Sequence, residues 1–372
     1  MKKTIRAGFV FIVGLLCLAP ATTSAQSKEN TKKTEVRSST SKDLFEGEEV
    51  LEITLSGQLK KLLGDRSQKP IYHQLTFSYK DEQSNVINLP AQAKTRGHFR
   101  RLKENCYYPP LALKFVKCDL LKASPFKKQN KLKLVMPCAG EEYVVREWLI
   151  YKLYNLVSEK SFKTRLVRIQ LNDSSNKKQA NPFYAFLIED EDDLAKRNGL
   201  VVINKKLQPE QAEPECFLTM AVFQYLIGNT DWSVQYQQNI KLLAPDPKGL
   251  VTSVVPYDFD HAGLVDAPYA RPEEMLNMAS IRQRRFRGYC LKDMKRFDST
   301  VALFNRVKKD IYQTYSGCSF LSEKFVKNTL RYLDEFYEVI NKPGDMKKEF
   351  WYPCNPDGTG NVVIKGLKEE KL

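Results

Sequence analysis

The sequence predicts an α+β protein in two lobes, strand-rich over residues 49–190 and helix-rich over 191–350. Three observations lead there. Before residue 190, apolar and polar residues alternate in several short runs, the period of a half-buried strand. After residue 213 the apolar residues recur at helical spacing instead. An acidic run at residues 189–193 separates the two characters.

The chain opens with Lys2, Lys3 and Arg6, then an apolar run from Ala7 to Ala21, then the small residues Thr23, Ser24 and Ala25. That order predicts a cleavable secretory signal over residues 1–25, and hence a secreted or periplasmic protein. Cys17 follows Leu16, where lipidation needs a small residue, so a lipid anchor is not expected. Residues 26–48 open with Ser, Thr, Lys and Glu in place of large apolar residues, which predicts a disordered linker. Leu51, Ile53 and Leu55 alternate with polar residues, and Leu75, Phe77 and Tyr79 repeat the pattern. Strands are also predicted at 111–115, entered through Pro109-Pro110, and at 131–136. The period then changes, and Val145, Trp148, Leu149, Leu153 and Leu156 share one face of a helix over 142–158. Strands at 165–171 and 182–188 follow, joined by a polar loop.

In the second part a helix over 213–227 stops at Gly228, a residue suited to the end of a helix. Short strands at 239–243 and 251–255 flank a Pro-Asp-Pro-Lys-Gly turn. Helices are predicted at 300–315 and 322–341, and residues 351–372 form a C-terminal tail. Beyond the signal, no stretch approaches the roughly 20 apolar residues of a membrane span, so none is expected.

The formal charge of the 372-residue chain is +15, and loss of Lys2, Lys3 and Arg6 with the signal leaves +12. Such a surplus favours anionic partners, phosphate-bearing ligands among them. Nucleic acid is not expected, because the usual binding signatures are absent from the sequence. Seven cysteines follow the signal, and with three histidines and no C-x-x-C spacing they do not suggest zinc. Cys106 and Cys138 lie at the outer ends of the strands around Lys114 and Lys133, and a disulfide between them is predicted. The sequence contains no Gly-x-Ser-x-Gly elbow, and no His stands in a motif that would support a nucleophilic cysteine.

Two segments suggest chemistry. One is Gly228-Asn229-Thr230-Asp231-Trp232 with Asn239 beyond it; the other runs from Val255 through Asp258-Phe259-Asp260 to Gly263. Each places carboxylates or amides where a helix or strand ends, so the side chains can converge on one cleft. Phosphoryl transfer needs hard oxygen ligands for magnesium and a further carboxylate facing the acceptor hydroxyl. Asn239 and Asp258 suit the metal, with Asp260 beside them, and Asp231 suits the acceptor. The plainer reading is that Asn and Asp are turn residues. It serves for Asn229, but two acids among Val254, Val255 and Phe259 are costly to desolvate without a cation or donors.

These segments resemble, in order, the motifs of the CotH kinase family. Arg96-Gly97-His98-Phe99-Arg100 ahead of Leu111-Ala112-Leu113-Lys114-Phe115 is similar to that family's arginine-glycine loop and following strand. Lys133 to Met136 with Arg146 in the next helix, and the hairpin from Phe183 to Asp190, follow. Asn229-Thr230-Asp231-Trp232 with Asn239, and Pro256-Tyr257-Asp258-Phe259-Asp260, complete the series. The resemblance covers residues 96–263 and implies a bilobal protein-kinase-like fold with ATP and Mg (or Mn) between the lobes. It also implies transfer to a protein hydroxyl. On that analogy Asp231 is the catalytic acid, and Asn239 and Asp258 are metal ligands. Lys114 meets the phosphates, Glu147 (or Glu142) braces that lysine, and the backbone near Glu189 and Asp190 meets adenine. The eight-residue step from Asp231 to Asn239 departs from the five of many kinase-like loops.

Two basic clusters remain. Arg96, Arg100, Arg101 and Lys103 surround Gly97, and Arg282, Arg284, Arg285 and Arg287 precede Gly288. Such runs are commonly solvated faces. Arg96 is the exception, because glycine beside it lets a ligand approach the backbone, and arginine's fork suits phosphate. Two functions follow: an exported phosphoryl transferase, or a non-catalytic module whose basic cleft binds an anionic glycan, lipid or partner protein.

Overall fold

The computed structural model describes residues 42–352 apart from 177, 178 and 249. The expected signal peptide, most of the expected linker and the tail from residue 353 lie outside the described residues. In chain order the elements are β1 (Leu51–Gly57), α1 (Leu59–Gly64), β2 (His73–Lys80), β3 (Val86–Thr95), β4 (Leu111–Phe115), α2 (Asp119–Lys122), β5 (Lys131–Val135) and α3 (Glu141–Val157). There follow β6 (Thr164–Asp173), β7 (Phe183–Ile188), α4 (Glu191–Arg197), β8 (Val201–Ile203), α5 (Pro214–Ile227), β9 (Ile240–Ala244) and β10 (Ser253–Pro256). The described chain ends with α6 (Asp298–Arg306), α7 (Lys308–Ser316), α8 (Glu323–Ile340) and α9 (Pro343–Phe350).

The strands from β1 to β7 form a closed barrel in the order β1-β2-β3-β4-β5-β7-β6. Its pairs are antiparallel except at the closure, where β1 lies parallel to β6 with Leu51 opposite Val167 and Gly57 opposite Asp173. Alternate residues fill the interior, among them Leu55, Phe77, Leu89, Leu113, Leu134 and Val167, all buried. Phe77 meets Phe115 and Phe126 edge-on at 5.2 and 4.9 Å, geometries that aromatic rings favour.

This arrangement corrects the expected bilobal, protein-kinase-like fold. The strand-rich part is a closed barrel of mixed strands, and β8–β10 form a separate three-stranded sheet among the helices. Alternation along a strand reports which face is wet; it does not report that the first strand pairs with the sixth. Sequence reading also missed β3, where Pro90 interrupts the pattern and Ala91 and Ala93 are too small to announce a core face. Both alanines are nevertheless buried. The helix expected over 300–315 is two helices separated at Val307. The acidic run is the start of α4: Asp190 caps it, accepting from the Asp192 N–H at 3.2 Å, and the acids in its first turn suit the helix dipole.

A second core joins the small sheet to α3, α5 and the C-terminal helices. Helix α5 is apolar on nearly every side and buried accordingly from Phe217 to Ile227. Glu213 caps its start, and Gly228 ends it at φ 66°, in the left-handed region. A β-carbon at Gly228 would come within 2.2 Å of the Tyr332 hydroxyl, so the stop that launches Asn229 is specified sterically as well as by φ. Among the described residues no helix is long and apolar enough to cross a membrane.

Cys106 and Cys138 are joined in a disulfide, as expected, which ties the β3–β4 loop to the β5–α3 loop. Cys118, Cys216 and Cys318 are free thiols. Closing a loop of 32 residues is worth about 3–4 kcal/mol in the chain-entropy account. A Cys106→Ser, Cys138→Ser double variant is therefore expected to lose about that much unfolding free energy in urea titrations. A loss below about 1 kcal/mol would show the loop held chiefly by Arg66, whose guanidinium donates to the carbonyls of Arg101, Cys106 and Tyr107.

Candidate functional site

Four segments meet beside the mouth of the barrel. Helix α3 brings Glu147, the β3–β4 loop brings Arg96 and Arg100, the chain after Gly228 brings Asp231 and Asn239, and the end of β10 brings Asp258 and Asp260. Arg100 joins them. It sits on a single helical turn, Phe99–Arg101, and is buried. Its Nη2 lies 3.1 Å from Glu147 Oε2 and 3.0 Å from Asp258 Oδ1, and its Nε 3.1 Å from Asp260 Oδ2. The Tyr269 hydroxyl donates to the same Asp260 oxygen at 3.0 Å, and the rings of Phe99, His261 and Tyr269 surround the group.

One guanidinium thus faces three carboxylates. Burial pushes the Glu147 carboxyl up, and Arg100 only partly opposes it while Asp260 and Asp258 add to it. Burial acts on Asp260 as well, but Arg100, His261 and the Tyr269 hydroxyl overcome it and hold that carboxyl below its usual value. The two acids are pushed apart by their surroundings, as in sites where neighbouring carboxyls divide roles.

Asp231 is held by amides rather than by a cation. Buried Asn229 accepts from the Asp231 N–H at 3.0 Å and donates to Gln224 at 3.0 Å. Asn239 Nδ2 donates to the Asp231 carbonyl at 2.8 Å and to its carboxylate at 2.9 Å, and Gln238 Nε2 donates to the other carboxylate oxygen at 3.2 Å. Buried Arg287 braces the segment by donating to the carbonyls of Thr230 and Trp232. Burial raises Asp231 against the pull of His261, and Asp260 and Asp258 raise it further. A buried carboxyl shifted toward neutrality and held only by neutral donors suits proton transfer.

Asn239 and Asp258 share a backbone peculiarity, with φ of 51° and 61°. Non-glycine residues there are strained by about 1–3 kcal/mol and persist only where neighbours hold them. Those neighbours are present: the Tyr257 N–H donates to the Asn239 carbonyl at 3.0 Å, and the Asp258 N–H donates to the Tyr151 hydroxyl at 2.9 Å. With Nδ2 committed to Asp231, Asn239 offers Oδ1 as its acceptor.

A cationic group lies against the ring of Tyr257. Lys133, from β5, is buried and bonds to Glu191, which also holds Lys241 at 3.2 Å. The Lys133 ammonium stands 5.1 and 5.6 Å from the ring centroids of Phe162 and Tyr257, and Lys241 stands 5.5 Å from that of Tyr257. Burial and then Arg96 lower Lys133, despite Glu191. Burial works against ionised Glu191, yet Lys133 and Lys241 bring it down to about 2. Glu191 thus holds two lysines, and Arg96 lies close enough to Lys133 to lower it further.

The expected site residues divide as follows. Arg96, Glu147, Asp231, Asn239, Asp258 and Asp260 gather here. Lys114 is exposed on β4, opposite Lys131 in register, and takes no part. Glu142 is exposed. Glu189 is buried and bound by Arg197 at 2.8 Å, and Asp190 is a helix cap, so both side chains are engaged structurally. Arg284 stacks on Tyr332 and pairs with Glu335, away from the site. Sequence reading missed Lys133, Glu191, Lys241, Tyr269 and His261, and treated Arg100 as part of a solvated run. The signal at Lys133, a charge between Leu132 and Leu134-Val135, is shared by exposed Lys114 between Leu113 and Phe115.

Among the described residues no group of three His, Cys, Asp or Glu side chains could hold a metal ion. Arg100 already engages Asp258 and Asp260, and the Asp260 oxygen facing it also takes the Tyr269 hydroxyl. A divalent cation with two protein ligands, completed by water and phosphate, fits better, since magnesium is commonly bound that way. Asn239 Oδ1 and the Asp258 carboxylate, whose side chain is 41% exposed, suit that role; Asp260 does not. The chain matches no protein-family model, no curated protein and no solved structure.

Proposed function

We propose that the protein binds a nucleoside triphosphate with a divalent cation beside Tyr257 and transfers a phosphoryl group to a protein hydroxyl outside the cytoplasm. The observation that carries this reading is the meeting of two unlike groups at one residue. Beside the Tyr257 ring stand Lys133 and Lys241, with Arg96 near enough to act on it, suited to phosphate oxygens. At its backbone stand Asn239, which accepts the Tyr257 N–H, Asp258, which follows it, and Asp231, held by Asn239, suited to a cation and an acceptor proton. The bound cation would neutralise phosphate charge, while Asp231 would orient and deprotonate the hydroxyl. The reaction class rests on the CotH-like order of these motifs; the two-lobed arrangement is no part of it. The Cys106–Cys138 disulfide supports an oxidising compartment.

Calorimetry of the purified protein with Mg·ATP tests the binding step. Saturable heat is expected that needs the metal and weakens at least about tenfold in Asp258→Asn and in Lys133→Ala, as the loss of a charge-assisted contact requires. Absence of heat in all three proteins would overturn the reading.

One observation favours a second reading, a non-catalytic module for an anionic glycan, lipid or partner protein. Arg100 already neutralises Asp258 and Asp260, which leaves less charge for a metal. Binding of that kind is expected to survive Asp231→Ala and to weaken with salt and with Arg96→Ala.

A further inference from the structure

Two loops at the rim of the barrel form one surface that the site above does not use. Residues 65–72 join α1 to β2, and residues 96–110 join β3 to β4. The inner side of the second loop delivers Arg96 and Arg100 to the site; its outer side is different. Tyr107 is 73% exposed and Leu102 38%, and on the neighbouring loop Ile71 is 63% exposed and Tyr72 37%. Apolar side chains so exposed and so close together mark a contact surface.

The loops are locked to one another. Arg66 reaches across to the carbonyls of Arg101 and Tyr107, each at 2.7 Å, and Arg101 returns a bond to the Gln68 carbonyl at 3.3 Å. The Cys106–Cys138 disulfide anchors the second loop from behind. The backbone that carries the exposed side chains is therefore already ordered before they meet a partner.

Cations surround them. Lys94 lies over the Tyr72 ring at 4.9 Å. Lys69 and Lys103 are exposed and make no ion pair among the described residues, and Arg101 is half-buried between the loops. Glu104 is the exposed acid of these loops, because Asp65 turns inward to Ser67 and to the Ile71 N–H. Two aliphatic side chains and two tyrosines exposed on these loops, ringed by lysine and arginine, match the layered chemistry of a bilayer interface. Tyrosines suit the headgroup level, and lysine stems cover apolar surface while their ammonium groups stay with phosphate. An acidic protein would satisfy the charges, but the apolar side chains stand out on loops rather than lining a groove for a peptide.

We propose that this face docks on the surface of an anionic lipid bilayer and holds the neighbouring site close to it. The assignment rests on the loops alone and does not depend on the reaction proposed above.

Vesicle flotation tests it. The chain beginning at Gln26 is the form to use, because the Ala7 to Ala21 run would bind lipid by itself; both described cores lie within residues 42–352. Vesicles of phosphatidylcholine mixed with phosphatidylglycerol are expected to bind it at least about tenfold more tightly than phosphatidylcholine alone. Binding is expected to weaken with salt, and about tenfold or more in the Ile71→Ser, Tyr107→Ser double variant. Both positions are exposed, so the thermal melt of the variant should match that of the parent. Lysine-to-alanine changes at 69 and 103 are each expected to cost about fivefold. Equal binding to both kinds of vesicle, or binding indifferent to the double variant, would refute the proposal. So would failure to float together with retention on polyglutamate, which would assign the face to an acidic protein.

Discussion

Replacing Arg100 by alanine is expected to lower the unfolding free energy by about 3–5 kcal/mol, the usual consequence of removing one partner from a buried ion pair. The charge itself is the cause. Arg100 is the guanidinium shared by Glu147, Asp258 and Asp260, and without it those carboxyls stay crowded together, Glu147 and Asp260 fully buried. The Glu147 carboxyl, already raised by burial, then rises further, and Asp260 loses the cation that holds it below its usual value. Stability contributed by a raised carboxyl is present below the unfolded pKa and is lost as pH rises through the folded pKa. The deficit should therefore be large at neutral pH and shrink on acidification toward the ordinary carboxylate range. In the parent protein Asp260 is depressed, so its contribution is lost as pH falls, which narrows the gap from the other side. Urea titrations of both proteins across that range check the sign. A deficit that stays the same across that range would show that Arg100 acts through packing alone. Arg100→Lys should rescue only part of the loss, since one ammonium cannot span the three carboxyls as the planar fork does.

The second large effect concerns Asp231. With Asn in its place, turnover of radiolabelled ATP is expected to fall about 10²–10⁴-fold, the range for loss of a general base. Binding of Mg·ATP should change little, because the proposed ligands are elsewhere. Parent turnover should decline on the acidic side through a pKa above that of an ordinary aspartate, following the upward push of burial and the neighbouring acids. Turnover retained by Asp231→Asn would remove it from the reaction. Turnover and binding lost in equal measure would make it a structural residue that positions Asn239.

Much of this was legible in the sequence, and the omissions share a cause. Alternation located β1, β2, β4, β5, β6 and β7, and Gly228 marked the stop of α5. The order of Asp231, Asn239 and Asp258 placed three polar groups that do meet. The Cys106–Cys138 pairing was readable because both residues stand at the ends of adjacent strands. Barrel closure was not readable: it depends on β1 meeting β6 more than a hundred residues later. Lys114 and Lys133 looked alike, each a lysine between apolar neighbours. They differ because β4 is wet on one face at Lys114, whereas β5 is buried on both faces from Leu132 onward. A lysine on such a strand must find carboxylates or aromatic faces, and Lys133 finds both. Arg100 looked like its solvated neighbours because nothing local shows that one arginine of a run turns inward while Arg101 and Lys103 do not.

Everything proposed for the site depends on a cation taken up by Asn239 and Asp258 with a nucleotide reaching Lys133. Crystals grown with a non-hydrolysable ATP analogue and manganese test this most directly through the metal's anomalous scattering. The account predicts one strong peak against Asn239 and Asp258, with the triphosphate on the side of Lys133, Lys241 and Arg96. Manganese and nucleotide bound elsewhere, or Arg100 still gripping both aspartates with no metal beside them at saturating ligand, would contradict it.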